Sequence, residues 1–522
     1  MNSDDPEEPL IASSRELDDD DTRNGAARPV GSGKAPEDAP GLFVWLLTFA
    51  AGISGILFGY DTGVISATLV SIDSSLSGKP LSSLDKSIIT SSTALFALLV
   101  SPFSSVLADA FGRKRVIMMA DALFILGAGL QAISSTVASM VAGRSIVGAA
   151  VGAASFVVPL YIAELAPAAH RGRLVTMNIV FITLGQVVAY IVGWIFGEYG
   201  STETGWRWMV GLGAVPAALQ TAIVLFMPET PPWLVKAGRS SEARVVIEKV
   251  SGGKRLGASS RAVDATLKNI EIEVREEAQA RRRRTNSNRP EWLASLDELF
   301  KIQRNRRALA IACLLQGLQQ LCGFNSLMYF SATIFTMLGF PIPTLTSLVV
   351  AVTNFVFTVA ALFLIDRIGR RRILLWSIPF MIAGLLFAGY GFAFVKLSAD
   401  SATQETSTQG AAIVILVSIM IYVAGYAIGL GNVPWMQSEL FSLNVRSLGS
   451  GISTATNWGA NFVIGLTFLL LMDVLTPSWT FVLYAIICAI GYVLIWRVYP
   501  ETAGLTLEEA ASLLEDDSWG VR

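Results

Sequence analysis

The chain has 522 residues, of which 52% are hydrophobic and only 15% are charged, with a formal net charge of −2 at pH 7. A soluble protein of this length needs a much more charged surface, so the composition excludes an ordinary water-soluble fold. The nearly neutral balance gives no support to nucleic-acid binding.

The first segment, residues 1–41, is acidic and contains the run Asp18 to Asp21 together with scattered Pro, Gly and Ser. Such a composition predicts a disordered tail, acting as a solvated tether rather than as a partner-binding segment. The segment lacks a basic stretch before an apolar core, so we do not expect a cleaved signal peptide.

Apolar runs follow, each close to the roughly 20 residues that cross a bilayer as a helix. About twelve are recognisable, near 42–67, 88–108, 116–136, 139–162, 174–196, 208–228, 308–330, 344–365, 373–395, 411–436, 449–471 and 479–499. They predict an all-α membrane protein embedded in a lipid bilayer.

A charged segment with helical periodicity, 229–307, separates the sixth run from the seventh. We therefore predict an N-terminal six-helix bundle at 42–228, a cytoplasmic helical linker at 229–307, and a C-terminal six-helix bundle at 308–499. Residues 500–522 form a C-terminal tail. Basic residues concentrate in the loops on one side of the predicted membrane, which predicts that both termini are cytoplasmic, most naturally at the plasma membrane.

Residues that would support catalysis or metal binding are scarce. The three cysteines (Cys313, Cys322 and Cys488) lie inside apolar runs, and the one histidine, His170, lies in a predicted loop. No nucleophile motif or phosphate-binding glycine loop occurs. We predict a protein that is not an enzyme and has no metal site and no cofactor.

Several charged motifs occur twice, at matching places in the two halves. Val158–Leu165 recurs as Val433–Leu440, and each copy is followed at equal spacing by an arginine. Parallel repeats of this scale are typical of transporters that bind substrate between two halves. The duplicated acids and arginines predict a cytoplasmic latch that closes the halves, with membrane anchoring as the alternative. Its predicted members are Arg113, Glu164, Arg171, Glu229, Arg370, Glu439, Arg446 and Glu501.

Two opposite charges fall at similar depth in the predicted membrane, Asp61 in the first run and Arg144 in the fourth. Ionisable groups there face a cavity or a partner. A static ion pair is one interpretation; the other is a proton-exchanging Asp61 whose proton affinity Arg144 controls. Asp121, six residues past Arg115, is interpreted as an interfacial residue.

Amide side chains form a second set of polar residues in the membrane. Their donors and acceptors suit a neutral polyol, and a tryptophan near them offers a flat apolar face, although interhelical hydrogen bonding is the simpler alternative. The predicted substrate-binding residues are Gln186, Gln319, Gln320, Asn325, Trp435 and Asn457.

From about 42 to 505 the chain resembles the sugar porter family of the major facilitator superfamily. The motifs that carry the resemblance are Asp109-x-x-Gly112-Arg113-Lys114, Gly143-Arg144, Tyr161-Ile162-Ala163-Glu164 with Arg171-Gly172, Gln319-Gln320-x-x-Gly323-x-Asn325, and Pro500-Glu501-Thr502. The resemblance implies alternating access, sugar contacts at the six residues above, and a proton site at Asp61 with Arg144.

Within that family the chain looks most like fungal myo-inositol/proton symporters, through Met328–Phe335, Gly431–Phe441 and Ala455–Gly459. Many hexose carriers have a glutamine where this chain has Ile179, which favours a polyol other than glucose. The resemblance predicts a monomeric symporter of protons and myo-inositol. A hexose or pentose symporter or facilitator, and a sugar sensor that does not transport, are the alternatives.

Overall fold

The computed structural model shows helices throughout the residues it describes, which are 42–165, 171–250, 260–285, 291–394, 405–441, 445–502 and 513–514. They belong to one unit, 41–522. A helix satisfies its own backbone hydrogen bonds, which a chain surrounded by hydrocarbon requires. The predicted tail at 1–41 lies outside the described residues, as does most of 500–522.

The first half contains seven helices because its sixth crossing has two parts. They are α1 (Leu42–Ser71), α2 (Ser83–Phe111), α3 (Arg113–Ala132), α4 (Val137–Leu165), α5 (Arg171–Glu198), α6 (Gly205–Gly211) and α7 (Ala214–Phe226). Helices α6 and α7 together give one apolar span, Gly205–Phe226.

Four helices connect the halves: α8 (Pro231–Lys236), α9 (Ser240–Val250), α10 (Ser260–Thr285) and α11 (Glu291–Lys301). Helix α9 is amphipathic and buries Ala243, Val246 and Ile247. On its other side Arg244 donates to Asp264 of α10 at 2.8 Å. That hydrogen bond lowers the pKa of the Asp264 carboxyl.

The second half contains α12 (Gln303–Leu321), α13 (Phe324–Met337), α14 (Pro343–Ile368), α15 (Arg370–Phe394), α16 (Glu405–Ile428), a 3-10 helix (Val433–Leu440) and α17 (Arg446–Val498). Gly323, with φ +89°, breaks the seventh crossing between α12 and α13. Such a conformation is easy only for a residue without Cβ.

Helix α17 is two crossings joined by a sharp turn. Thr476 has φ 70° and ψ 155°, and Pro477 follows it. Eleven helical segments among the described residues are long and apolar enough to span a membrane, and the one at Leu448–Val498 contains this break. The total is therefore twelve crossings, which confirms the predicted fold class.

The two halves pack through equivalent pairs of helices. Helix α2 packs against α17, and α5 packs against α14. In order of crossing these pairs are the second with the eleventh and the fifth with the eighth. A rotation that exchanges the halves converts one pair into the other. The repeat in the sequence is thus also a repeat in helix packing. We call the contacts of α2 with α17 and of α5 with α14 the two seams, and side chains there can alter how the halves meet.

Candidate functional site

The two predicted membrane charges form an ion pair between α1 and α4. Arg144 Nη1 donates to Asp61 Oδ1 at 2.5 Å. Asp61 is 7% exposed and Arg144 is 1% exposed. Each charge compensates the other, because an isolated ion at this burial would carry a large desolvation cost. Arg144 Nε has no hydrogen-bond partner among the described residues.

A tyrosine and an asparagine from the second half form a separate buried hydrogen bond. Tyr329 of α13 is buried, at 7% exposure. The hydroxyl donates to Asn461 Oδ1 at 3.1 Å. Asn461 lies one turn beyond Asn457 on α17. This hydrogen bond joins α13 to α17 one turn from Asn457.

Four of the six predicted substrate-binding residues lie in one hydrogen-bonded group together with Gln316, which was not predicted. We call this group the amide cluster, and its five members are Gln316, Gln319, Gln320, Asn325 and Asn457. Asn457 Nδ2 donates to Gln316 Oε1 at 2.6 Å and to Gln319 Oε1 at 2.8 Å. Gln320 Nε2 donates to Asn457 Oδ1 at 3.1 Å. Asn325 Nδ2 donates to Gln320 Oε1 at 2.7 Å.

The amide cluster also holds the bend after α16. Gln316 Nε2 donates to the Pro434 carbonyl at 2.9 Å, and Gln319 Nε2 donates to the Leu430 carbonyl at 2.9 Å. All five cluster residues are buried. Their amides satisfy one another without a ligand, so a polyol that bound here would have to replace some of these hydrogen bonds with its own.

The other two predicted binding residues lie elsewhere. Gln186 of α5 accepts a hydrogen bond from Asn354 Nδ2 of α14 at 2.8 Å. That bond crosses the seam between the halves. Trp435 is half-buried and borders a cavity that the first half lines almost entirely.

Sequence reasoning missed Gln316, Tyr329, Asn354 and Asn461. Gln316 precedes Gln319 and Gln320 by one helical turn, and Asn461 follows Asn457 by four residues, so helical spacing was a usable signal for both. Asn354 is an amide inside an apolar run and carried the same signal as Gln186.

The cavity lies between α1, α3, α4, α5 and α7, and its empty volume, open solvent included, is about 880 Å³. Most of its lining is apolar. Asp121, Asn178 and Gln220 are among its polar lining residues. The interfacial depth of Asp121 stays a prediction; its side chain is buried, at 4% exposure, because α3 turns it towards this cavity rather than towards lipid.

The halves are bonded to each other at the end of the molecule away from the duplicated motifs. Tyr190 of α5 donates to the Met328 carbonyl at 2.5 Å and lies 2.9 Å from Ser331 Oγ of α13. Ser66 Oγ of α1 lies 3.0 Å from Ser331 Oγ and accepts from the Ala332 amide at 3.0 Å. The cavity lies towards the other end, which we call the motif side because Arg113 and Arg370 lie there.

On the motif side, Arg113 and Glu229 form hydrogen bonds within the first half. Arg113 Nη2 donates to Glu164 Oε1 at 2.9 Å. Glu229 accepts from the Arg113 and Lys114 amides, each at 3.1 Å. The carboxylate thus lies at the N-terminus of α3, where it is favoured by free amides and by the helix dipole.

The second half repeats this arrangement. Glu501 accepts from the Arg370 amide at 2.7 Å and from the Arg371 amide at 3.1 Å, at the start of α15. Arg446 donates to the Phe441 carbonyl at 3.2 Å. The side chains of Arg171 and Glu439 lie outside the described residues. The hydrogen bonds named here lie within one half each, and a latch between the halves stays a prediction.

Comparison with known proteins decides the family. The family described as "Sugar (and other) transporter" matches residues 47–514. The chain belongs to this family. The predicted family is thereby confirmed, and so is the prediction that the protein is a transporter and not an enzyme.

Curated relatives agree over most of the chain. Myo-inositol transporter 1 of Cryptococcus neoformans is 47% identical over 92% of this chain and 82% of its own length. Myo-inositol transporter 2 of Schizosaccharomyces pombe is 43% identical over 91% of this chain and 83% of its length. Myo-inositol transporter 1 of Saccharomyces cerevisiae is 41% identical, with 91% and 80% covered.

Solved structures agree in fold. The partially occluded inward-open form of the xylose transporter XylE from E. coli has a TM-score of 0.72 at 25% identity, covering 89% of this chain and 99% of that one. The proton:xylose symporter XylE bound to 6-bromo-6-deoxy-D-glucose also has a TM-score of 0.72, at 26% identity, with 90% and 99% covered. The chain is a multi-pass membrane protein of the sugar transporter family.

Proposed function

We propose that this sugar transporter family member couples the movement of protons to the movement of myo-inositol by alternating access. The observation that carries the proposal is the buried Asp61–Arg144 ion pair between two membrane helices of the first half. The buried amide cluster of the second half offers the donors and acceptors that a polyol requires. The names of the curated relatives support the substrate, and the name of the solved proton:xylose symporter supports the coupling.

The proton acts through Asp61. Arg144 at 2.5 Å stabilises the ionised form of the carboxylate. A movement of α4 relative to α1 that separated the two would leave a buried, unpaired carboxylate, and such a group neutralises by taking up a proton. The two conformations of the carrier then differ in whether Asp61 holds the proton, which is the requirement for coupling.

The amide cluster binds the polyol. Each amide presents donors and acceptors together, which suits a ring whose hydroxyls do the same. Ile179 stands where many hexose carriers have a glutamine, so this chain offers one polar contact fewer to a hexose and an apolar surface instead. Trp435 supplies a flat apolar face beside the cavity.

The present conformation is the inward-facing one in this proposal. The halves are hydrogen-bonded through Ser66, Tyr190 and Ser331, while the cavity lies towards the motif side. Breaking those bonds and bringing the motif sides together would produce the outward-facing state. The predicted latch, including Glu164 and Arg446, would hold that second state.

We place the motif side and both termini in the cytoplasm and the protein in the plasma membrane, following the basic residues of the loops. The N-terminal bundle at 42–228 and the C-terminal bundle at 308–499 act as the rocking bodies, and one chain suffices for transport.

The energetics allow accumulation. A membrane potential of about 100 mV contributes roughly 2.3 kcal/mol per proton, and a difference of one pH unit contributes about 1.4 kcal/mol more. Their sum corresponds to a gradient of several hundred-fold for one proton per substrate.

The test is uptake of labelled myo-inositol into cells that lack their own transporter, with recording of external pH. We expect saturable uptake, alkalinisation of the medium, and little competition from excess glucose or xylose. Strong competition by either sugar would favour the hexose or pentose symporter. Uptake without a pH change would favour a facilitator, and binding without uptake in liposomes would favour a sensor.

A further inference from the structure

The cavity on the motif side carries a row of hydrogen-bond acceptors that the amide cluster does not include. They are Asp121 on α3, Asn178 on α5 and Gln220 on α7, which we call the acceptor wall. All three belong to the first half, whereas the amide cluster belongs to the second. Of the described residues that line the cavity, only Trp435 comes from the second half.

Gln220 is the clearest case of an acceptor in this wall that receives no hydrogen bond from the described residues. Its side chain is 2% exposed. The Nε2 group donates to Ser54 Oγ of α1. The Oε1 atom is buried and has no partner among the described residues. A buried carbonyl without a donor is costly, on the order of 1–3 kcal/mol, so an incoming hydroxyl would be favoured there.

Asn178 also has a side-chain oxygen that receives no hydrogen bond from the part of the chain that the structure describes. Its Oδ1 atom is buried without a partner among the described residues. Gly55 of α1 approaches that oxygen closely, since a Cβ at this glycine would lie 2.9 Å from it. The close packing of α1 and α5 thus buries the oxygen of a cavity-lining residue without supplying a donor from the described residues of either helix.

Asp121 adds a carboxylate to these two carbonyls. Thr221 donates to its Oδ2 at 3.2 Å, and the residue is 4% exposed. Asp121 lies about two turns into α3 from Arg113, and so between the level of the ion pair and the motif-side surface. A carboxylate accepts more hydrogen bonds than one threonine supplies.

We propose that the acceptor wall is a second polyol subsite, which holds the substrate on the motif side after it leaves the amide cluster. This inference rests on the proposed function. Phe58, Val151 and Ile179 enclose the wall with apolar surface, so hydroxyl groups are the donors that match it.

The chemistry of the wall also selects among polyols. Myo-inositol carries a hydroxyl donor on every ring carbon, whereas a pyranose has a ring oxygen that only accepts. That oxygen cannot donate to the Asp121 carboxylate or to the Gln220 carbonyl, so a pyranose offers one donor fewer to the wall. The subsite therefore favours cyclitols over pyranoses, independently of the amide cluster.

The experiment uses the full chain in liposomes with a known orientation, and measures myo-inositol exchange with the opposite face saturated. Asp121→Asn and Gln220→Met each remove an acceptor. We expect half-saturation on the motif side to rise about ten-fold for each lost hydrogen bond, with half-saturation on the other face unchanged. The preference for myo-inositol over glucose on the motif side should also decrease.

Ser155→Ala is the matched control, because Ser155 lines the same cavity but its hydroxyl donates to the Gly152 carbonyl at 2.9 Å. A second measurement is the alkylation of a cysteine introduced by Ile179→Cys. Myo-inositol on the motif side should protect this cysteine in the otherwise wild-type chain, and much less in the Asp121→Asn/Gln220→Met background.

The outcomes separate this subsite from the proposed function. If exchange were saturable and half-saturation on the motif side were equal in all variants, the subsite alone would be overturned. Water would then be the hydrogen-bond donor to the acceptor wall. Equal losses on both faces would also overturn it in favour of a structural role. Wild-type liposomes that exchange no myo-inositol would overturn the proposed substrate, and the subsite with it.

Discussion

Glu229 and Glu501 lie at equivalent places in the two halves, and each accepts hydrogen bonds from the first backbone amides of a membrane helix. Glu229 binds the amides of Arg113 and Lys114, and Glu501 binds those of Arg370 and Arg371. A glycine with positive φ, Gly112 in one half and Gly369 in the other, precedes each helix. The recurring glutamates are therefore helix caps as well as candidate members of a latch.

Glu229→Gln and Glu501→Gln should each destabilise the protein. The amide keeps one acceptor oxygen but loses the charge that the helix dipole and two amides favour, which costs about 1 kcal/mol. The thermal unfolding midpoint in detergent should fall for both variants. The control is Glu242→Gln, because the Glu242 side chain is 54% exposed and pairs with Arg239 on the surface. Midpoints that match the wild type in both variants would contradict the capping role.

The crossings and the ion pair were predictable from the sequence because both follow from the cost of burying polar groups in hydrocarbon. Apolar runs of spanning length indicated twelve crossings, and Asp61 and Arg144 were conspicuous as opposite charges at similar depth. The duplicated motifs then indicated two similar halves. Each inference depended on a property that a single residue or run carries by itself.

The partners of the amides were not predictable in the same way, because a hydrogen bond between distant helices depends on how those helices are rotated. Gln186 shared its depth with Gln319, yet it bonds to Asn354 across the seam. Asp121 shared its distance from the loop with interfacial residues, yet α3 turns it into the cavity. The depth of a residue in the membrane follows from its position along the chain, whereas the direction of its side chain follows from how the helices pack.

Asp61→Asn should abolish concentrative uptake and leave exchange intact. Asparagine preserves the size and a hydrogen bond to Arg144 but cannot carry a proton. Wild-type uptake should rise as external pH falls, since the proton is a co-substrate, and the variant should lose that dependence. The measurement is labelled uptake across a range of external pH, alongside exchange with preloaded substrate. Unchanged accumulation in the variant would remove Asp61 from coupling.

Tyr190→Phe should weaken the closure of the two halves away from the motif side. The change removes hydrogen bonds to the Met328 carbonyl and to Ser331, and leaves the ring in place. A net loss of about 1 kcal/mol would shift the ratio of the two states about five-fold towards the outward-facing one. Distances between spin labels on Glu198 and Met337, at the ends of α5 and α13, would report the shift.

The comparison for that measurement is Tyr199→Phe. Tyr199 is 76% exposed, so losing its hydroxyl should leave the distance distribution as in the wild type. If Tyr190→Phe also left the distribution unchanged, the hydrogen bonds to α13 would contribute nothing to closure.

Asn457→Ala should weaken substrate binding more than any other single change in the amide cluster. Asn457 donates to Gln316 and Gln319 and accepts from Gln320, so its loss leaves three buried amides short of partners. With about 1–3 kcal/mol lost, half-saturation should rise roughly ten-fold or more. Thr467→Val, on the same helix, is the control, because that hydroxyl donates to the Val463 carbonyl of its own helix. Half-saturation by myo-inositol, measured for exchange, separates the cluster from the coupling pair: a variant that bound normally but failed to accumulate would place Asn457 with Asp61 rather than with the substrate.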